Sequence, residues 1–343
     1  GERSRGRARG LCQRRAEYVR AEGGPVLICA DREDHMSKKV LVATEKPFSP
    51  AAVEQLVEVF KAANYEVQLL ESYTDKADLL AAVVDADAMI IRSDKVTAEV
   101  LDAAKQLKIV VRAGAGYDNI DCAKAAEKNV VAMNTPGQNS NAVAELVFGM
   151  MIMNARNNYN GKPGTEIRGK KIGIHAYGNV GIYVAKAAHG FGMEVYAFDP
   201  FVDDEAIKKD GVTPVGSVEE LYETCQYVSL HIPETPQTMK SINFELLSKM
   251  PEGGTLINTA RLGVIDEEGL MKMFAERPDF VYLSDISPDC KAEIVSAYDD
   301  KRYFFTPKKM GAQTAEANIN AGVAAANQIV GFFENGDVTF KVN

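Results

Sequence analysis

Cysteine and histidine are few and scattered in this chain, and their placement excludes metal chemistry as a first expectation. The five cysteines, Cys12, Cys29, Cys122, Cys225 and Cys290, form no Cys-x-x-Cys pair, and the four histidines, His35, His175, His189 and His231, stand nowhere at zinc-ligand spacing. Scattered thiols in odd number fit reduced cysteines in a cytoplasmic protein. Long apolar runs are also missing. The richest, Ala144 to Met153, falls far short of the roughly 20 residues a membrane span requires, so no membrane association is expected. Positive charge is in deficit: the formal net charge is -9. That argues against nucleic acid as a partner, and an anionic ligand must then be met by a local cluster of Arg and Lys.

The chain has 343 residues with 46% hydrophobic content, enough for two cores and therefore two domains. Residues 1–35 differ from the rest in carrying eight Arg against six acidic residues, and Met36 reads as the natural start. The stretch is expected to be a disordered extension rather than a targeting sequence, because its acidic residues spoil the acid-poor signature of a presequence. From Lys39 onward short apolar segments alternate with amphipathic ones, as in Val40-Leu41-Val42, then Ala51 to Ala63, then Val67-Gln68-Leu69. That rhythm specifies parallel α/β architecture. A helix from about Asn141 to Arg156 carries Glu145 as almost its only charge before Arg156, so it is expected to be buried, in part against a second subunit.

The most informative stretch is Lys171 to Asp199. Lys171-Ile172-Gly173-Ile174-His175 reads as a buried strand. Ala176-Tyr177-Gly178-Asn179-Val180-Gly181 turns into a helix reaching Gly190, and Glu194 to Phe198 forms the next strand, ending at Asp199. Glycines in this turn let backbone amides at a helix N-terminus approach a pyrophosphate, while an acid about twenty residues on accepts hydrogen bonds from a ribose diol. The unit reads as a dinucleotide site. Asp199 would repel a 2′-phosphate, which favours NAD over NADP.

Other candidates fall at the carboxyl ends of predicted strands, where open α/β sheets place ligands. Arg261, after Thr255-Leu256-Ile257-Asn258, suits a substrate carboxylate through bidentate hydrogen bonding. Asp285 ends the strand near Val281 to Ser284. Lys308 and Lys309 follow Thr306-Pro307. In the first half, Ile91-Arg92-Ser93 and Arg112-Ala113-Gly114-Ala115-Gly116 end adjacent strands. The small-residue loop can present the amides of Ala113 and Gly114 to a carboxylate, with Arg92, Ser93 and Lys46 available for a second anionic group.

Taken together, Arg112 to Asn119, Asn134-Thr135-Pro136-Gly137 leading to Ala144-Glu145, the Tyr177 to Gly181 turn, His231-Ile232-Pro233, Asn258-Thr259-Ala260-Arg261 and Gly311-Ala312 resemble the D-isomer-specific 2-hydroxyacid dehydrogenases. The resemblance runs from Lys39 to about Val342. It implies two doubly wound parallel-sheet domains, a Rossmann NAD-binding domain inserted into a flavodoxin-like substrate domain. The substrate domain would take residues 36–138, the cofactor domain 139–312, including a dimer helix at 141–156, and residues 313–343 would return to the substrate domain. NAD would be held by Tyr177, Gly178, Asn179, Val180, Gly181, Asp199, His231, Ile232, Pro233, Thr259, Ala260 and Asp285. Arg261 would orient the substrate carboxylate and keto oxygen, and Arg92 and Ser93 would meet the substrate.

Two departures accompany the resemblance. The family usually carries a His directly after the Thr-Pro pair as the acid or base, and here Lys308-Lys309 stand there with one extra residue before Gly311. The family's assisting Glu is replaced by Cys290, with Asp289 one position short. A Lys acting as base needs desolvation or a neighbouring cation to lower its pKa, and Arg261 is the candidate cation. The implied reaction is NAD-dependent oxidation of a phosphorylated 2-hydroxyacid, D-3-phosphoglycerate at the entry to serine synthesis, by a homodimer. Glyoxylate or hydroxypyruvate reduction, an NAD-sensing corepressor and a catalytically dead homologue remain as alternatives.

Overall fold

The computed structural model describes residues 37–343, and the expectations for residues 1–35 and Met36 lie outside them. The first sheet takes β1 (Lys39–Thr44), β2 (Glu66–Glu71), β3 (Ala88–Ile91), β4 (Ile109–Arg112) and β5 (Val131–Asn134) in the order β2-β1-β3-β4-β5, all parallel. The crossovers are α1 (Pro50–Ala62), α2 (Lys76–Ala82), α3 (Ala98–Ala103) and α4 (Cys122–Glu127). β3 is buried at every position because helices cover both faces, which is why it reads as an unbroken apolar run rather than an alternation. Ser49 caps α1, its hydroxyl accepting from the Ala52 amide at 3.3 Å, and Pro50 opens the helix where its missing N–H costs nothing.

The second sheet takes β6 (Lys171–His175), β7 (Glu194–Phe198), β8 (Thr213–Pro214), β9 (Tyr227–Leu230), β10 (Thr255–Asn258), β11 (Val281–Ser284) and β12 (Tyr303–Phe305). Their order is β12-β11-β10-β9-β6-β7-β8, again all parallel. Its helices are α5 (Ser140–Ala155), α6 (Asn179–Gly190), α7 (Asp204–Lys209), α8 (Val218–Thr224), α9 (Phe244–Leu247), α10 (Glu267–Glu276) and α11 (Lys291–Ala297). The chain therefore forms the expected pair of doubly wound parallel sheets. Strand order reverses between β6 and β9, and the C-terminal side of that switch point is where such sheets open a ligand crevice.

The final helix, α12 (Ala315–Asn335), returns to the first sheet. Its Ala321, Ala325, Ala326 and Ile329 share a core with Val42, Leu56, Ile90 and Val111. Small residues on that face let it lie close to α1, and a Cβ at Gly322 would already press on the Phe48 ring at 3.3 Å. After α12 the chain end closes the β5 edge, with Val342 N donating to Ala132 O and Ala132 N donating to Asn343 Oδ1. α5 instead shares its core with β6 and α6 through Val147, Phe148, Met150 and Met151. The polypeptide thus crosses between the sheets just before α5 and again just before α12, and both crossings border the same cleft. Among the described residues no helix is long and apolar enough to cross a membrane.

Candidate active site

The dinucleotide turn forms as its residues dictate. Ala176 takes φ +80°, a left-handed conformation that costs an alanine about 1–2 kcal/mol, so the turn is imposed by the elements around it. A Cβ at Gly181 would stand 2.6 Å from Ala176 O, so only glycine lets α6 seat this closely on the turn. No side chain caps α6, whose N-cap is Gly178, and a Cβ at Gly178 would meet nothing within 4 Å. Uncapped amides of Asn179, Val180 and Gly181 beside open space fit a pyrophosphate. Asp199 is fixed by the Tyr177 amide on Oδ2 and the Phe201 amide on Oδ1, both at 2.8 Å, and keeps lone pairs for a ribose diol. Tyr177 contributes backbone only: its side chain is buried and its hydroxyl donates to Asp210 at 2.9 Å.

His231 follows β9. Its Nε2 lies 2.9 Å from Ser229 Oγ and its Nδ1 3.5 Å from the hydroxyl of Thr259. One edge of His231 keeps some surface open, yet protein surrounds the ring, and this desolvation, with His175 nearby, lowers its pKa to about 3. His231 is therefore neutral at physiological pH and serves as a hydrogen-bonding spacer. Ile232 is buried beside it and Pro233 is exposed. Ala260, after β10, donates its amide to Asn258 Oδ1 at 2.9 Å, which shapes the turn that presents Arg261.

Asp285 is 1% exposed and its carboxylate is fully engaged. Oδ1 accepts from Met310 N at 2.7 Å and from the Thr306 hydroxyl at 3.1 Å, and Oδ2 accepts from Gly311 N at 2.7 Å. Gly311 is required here, since a Cβ would come within 2.8 Å of Asp285 Oδ2. Asp285 thus anchors the segment that carries Lys309. The Lys309 ammonium reaches toward Ala260 O at 3.5 Å. Although it opens to the cleft by surface area, protein walls crowd it, and that desolvation, reinforced by Arg261 and Arg112, lowers its pKa to about 8. Asp285 and Asp118 oppose the shift. Lys308 is exposed and takes part in none of these contacts. At the position of the family Glu, Cys290 is buried, and Asp289 beside it is exposed with its amide donating to Glu267.

Lys46, Arg92, Ser93, Ala113 and Gly114 line one cavity of ≈240 Å³ between the first sheet, the start of α5 and the start of α12. Arg112 joins them, a residue sequence reasoning read only as a strand end. Its Nε donates to Arg92 O at 3.0 Å and its guanidinium folds over Gly114, where a Cβ would overlap it. Three cations and no carboxylate line this cavity. Arg92 donates to Lys46 O at 2.9 Å and Pro47 O at 2.8 Å, and its other nitrogen donates to Asn318 Oδ1 on α12, while its plane lies over Phe48. Burial lowers the pKa of both arginines from their usual value, but an arginine remains charged at working pH. A larger groove of ≈690 Å³ runs along α1, but Glu54, Glu58 and Glu71 line it against a single lysine, Lys61, so it does not suit an anionic substrate.

A dinucleotide-type turn and a cationic cavity at the strand ends of the two sheets, with Arg261 and Lys309 close by, fit hydride transfer to or from a small acid. Residues 121–307 match the D-isomer specific 2-hydroxyacid dehydrogenase, NAD binding domain family. The chain is 34% identical to the hydroxypyruvate reductase of Thermotoga maritima, covering 77% of this chain and 90% of that protein. It is 33% identical to the D-3-phosphoglycerate dehydrogenase of Methanocaldococcus jannaschii over 85% of this chain and 56% of that one. An NAD+-bound 3-phosphoglycerate dehydrogenase of Entamoeba histolytica superposes with a TM-score of 0.80 at 46% identity, covering 90% of this chain and 99% of that one. The chain belongs to the D-isomer-specific 2-hydroxyacid dehydrogenase family, and its second domain binds NAD. It spans about half the length of the curated phosphoglycerate dehydrogenases it matches.

Proposed function

We propose that this chain oxidises D-3-phosphoglycerate to 3-phosphohydroxypyruvate, the first step of phosphorylated serine synthesis. The observation that carries the reading is the cavity where Lys46, Arg92 and Arg112 converge without a carboxylate, a charge suited to a phosphate dianion rather than to an uncharged substrate end. The names of the Methanocaldococcus and Entamoeba proteins support it. NAD, when bound, accepts the hydride from C2 of the substrate. Lys309 in its neutral form takes the C2 hydroxyl proton at Nζ, and with a pKa of about 8 that form is accessible at mildly alkaline pH. Arg261, whose guanidinium makes no hydrogen bond to any described residue, holds the carboxylate and stabilises the negative charge growing on the C2 oxygen.

The name of the Thermotoga relative favours a second reading, reduction of hydroxypyruvate. The two part on the phosphate. Purified protein with NADH is expected to turn over 3-phosphohydroxypyruvate at least tenfold faster, by kcat/KM, than hydroxypyruvate, with NADPH poorly used. Lys46→Ala should erode that ratio without lowering the rate on hydroxypyruvate. A preference for hydroxypyruvate, or equal losses on both, overturns the phosphoglycerate reading. The same reading includes a homodimer through the outer side of α5, where Ile152, Ala155 and Phe191 border a shallow apolar groove. Sedimentation at monomer mass counts against it.

A further inference from the structure

The family's acid–base pair lacks its carboxylate here, yet a carboxylate stands in the cleft on a different element. Asp118 lies in the turn after β4, and its neighbour Asn119 pins that turn by donating from Nδ2 to Asp94 O at 2.7 Å and Arg92 O at 3.1 Å. A Cβ built at Gly116 would stand 3.1 Å from both Asp118 Oδ1 and an Arg261 guanidinium nitrogen, so the two charges flank one point across a residue with no side chain. They are not in ion-pair contact. Asp118 makes no hydrogen bond or ion pair with any described residue, and neither does the Arg261 guanidinium, so both are available to substrate and to one another. The charged groups facing Lys309 are Arg261 after β10, Asp285 after β11, Arg112 at the end of β4 and Asp118. Asp285 acts on Lys309 more strongly than Asp118 does, but its oxygens already take the Met310 and Gly311 amides and the Thr306 hydroxyl. Among these described groups Asp118 is therefore the anion whose carboxylate has no hydrogen-bond partner.

We propose that Asp118 is a positioning residue for the reaction: it aims the Arg261 guanidinium at the substrate and counterbalances the cations around Lys309, doing from the substrate domain what the missing acid at position 290 would do from the cofactor domain. This rests on Lys309 being the acid–base group.

The sign of the effect is fixed by charge. A nearby anion favours protonated Lys309, so removing it makes the neutral base available at lower pH. In Asp118→Asn the rising limb of kcat/KM for 3-phosphoglycerate oxidation is expected to move toward acid by about 0.5–1 unit. Meanwhile kcat falls, because Arg261 loses its aim, and NADH affinity stays unchanged, which also reports a folded cofactor domain. Asp118→Glu is expected to return the limb toward its wild-type position. A limb that stays in place in Asp118→Asn, whatever the loss of rate, overturns the assignment, since a merely structural residue lowers rate without moving the profile. Lys309→Met separates the two readings. If the limb vanishes there yet is unmoved in Asp118→Asn, the Asp118 role alone fails. If it persists in Lys309→Met, the lysine assignment fails and takes the pairing with it.

Discussion

Asp285→Asn tests how Lys309 is held. The substitution keeps shape and volume but removes the charge and replaces one acceptor oxygen with a donor. In the native fold the carboxylate takes two backbone amides at 2.7 Å and the Thr306 hydroxyl at 3.1 Å, all out of water. Whichever way the introduced side-chain amide turns, either Gly311 N–H or the Met310 N–H and Thr306 pair faces an NH2 group. One charge-assisted bond is worth about 1.5–3 kcal/mol, and leaving a buried donor unsatisfied adds a similar penalty, so the segment loses about 3 kcal/mol. That is roughly two decades in the equilibrium between the held and released segment. The affected bonds connect one segment to one strand end, so the loss appears as local opening and not as global unfolding. Hydrogen exchange at the Met310 and Gly311 amides should accelerate by about two decades, kcat should fall by up to the same factor, and NADH affinity should change little. Bound NADH can be followed by its own fluorescence, since the chain has no tryptophan. If exchange at Met310 and Gly311 is unchanged while NADH affinity collapses, Asp285 is a cofactor contact and the anchoring argument is refuted.

Protonation of the buried histidines should set the acid limit of stability. Burial holds the pKa of His175 at about 4 and that of His231 at about 3, well below the unfolded value of 6.5. The unfolded chain therefore binds protons first, and stability present above pH 6.5 is lost as pH falls toward 4, by about 1 kcal/mol per pH unit for each group. Denaturant midpoints measured from pH 8 to 4 check this, and a slope unaltered by His175→Phe would count against it. Gly181→Ala places a methyl 2.6 Å from Ala176 O, and the resulting overpacking of about 1–3 kcal/mol should weaken NADH binding about tenfold in a fluorescence titration. In the opposite direction, Ala176→Gly removes a Cβ held at φ +80° and should raise stability by about 0.5–1 kcal/mol, read as a higher denaturant midpoint with NADH affinity retained.

Local chemistry carried much of this protein's identity. A strand buried on both faces is apolar throughout where no side chain is needed for hydrogen bonding, so Ala88-Met89-Ile90-Ile91 declares itself without partners. Backbone approach to a phosphate requires small residues at set intervals, so Gly178, Gly181 and then Asp199 mark the cofactor side from spacing alone. The strand-end arginines and the Ala113-Gly114 loop were legible for the same reason: in parallel sheets, strand ends share one rim. What no local pattern could decide is which side chains turn into the cleft. Lys308 and Lys309 are equivalent by counting, and they are told apart only because Asp285, on another strand, grips the amides of Met310 and Gly311 and so sets the course of the segment between Thr306 and Gly311. Arg112 read as a strand terminus until its guanidinium was seen folded over Gly114, and Tyr177 read as a cofactor contact although its ring is buried toward Asp210. Asp118 gave no signal beyond its place in the Arg112 to Asn119 segment. Its neighbours Arg261 and Lys309 are brought to it only when the two sheets meet, and charge acts through distance in space, which the order of residues does not encode.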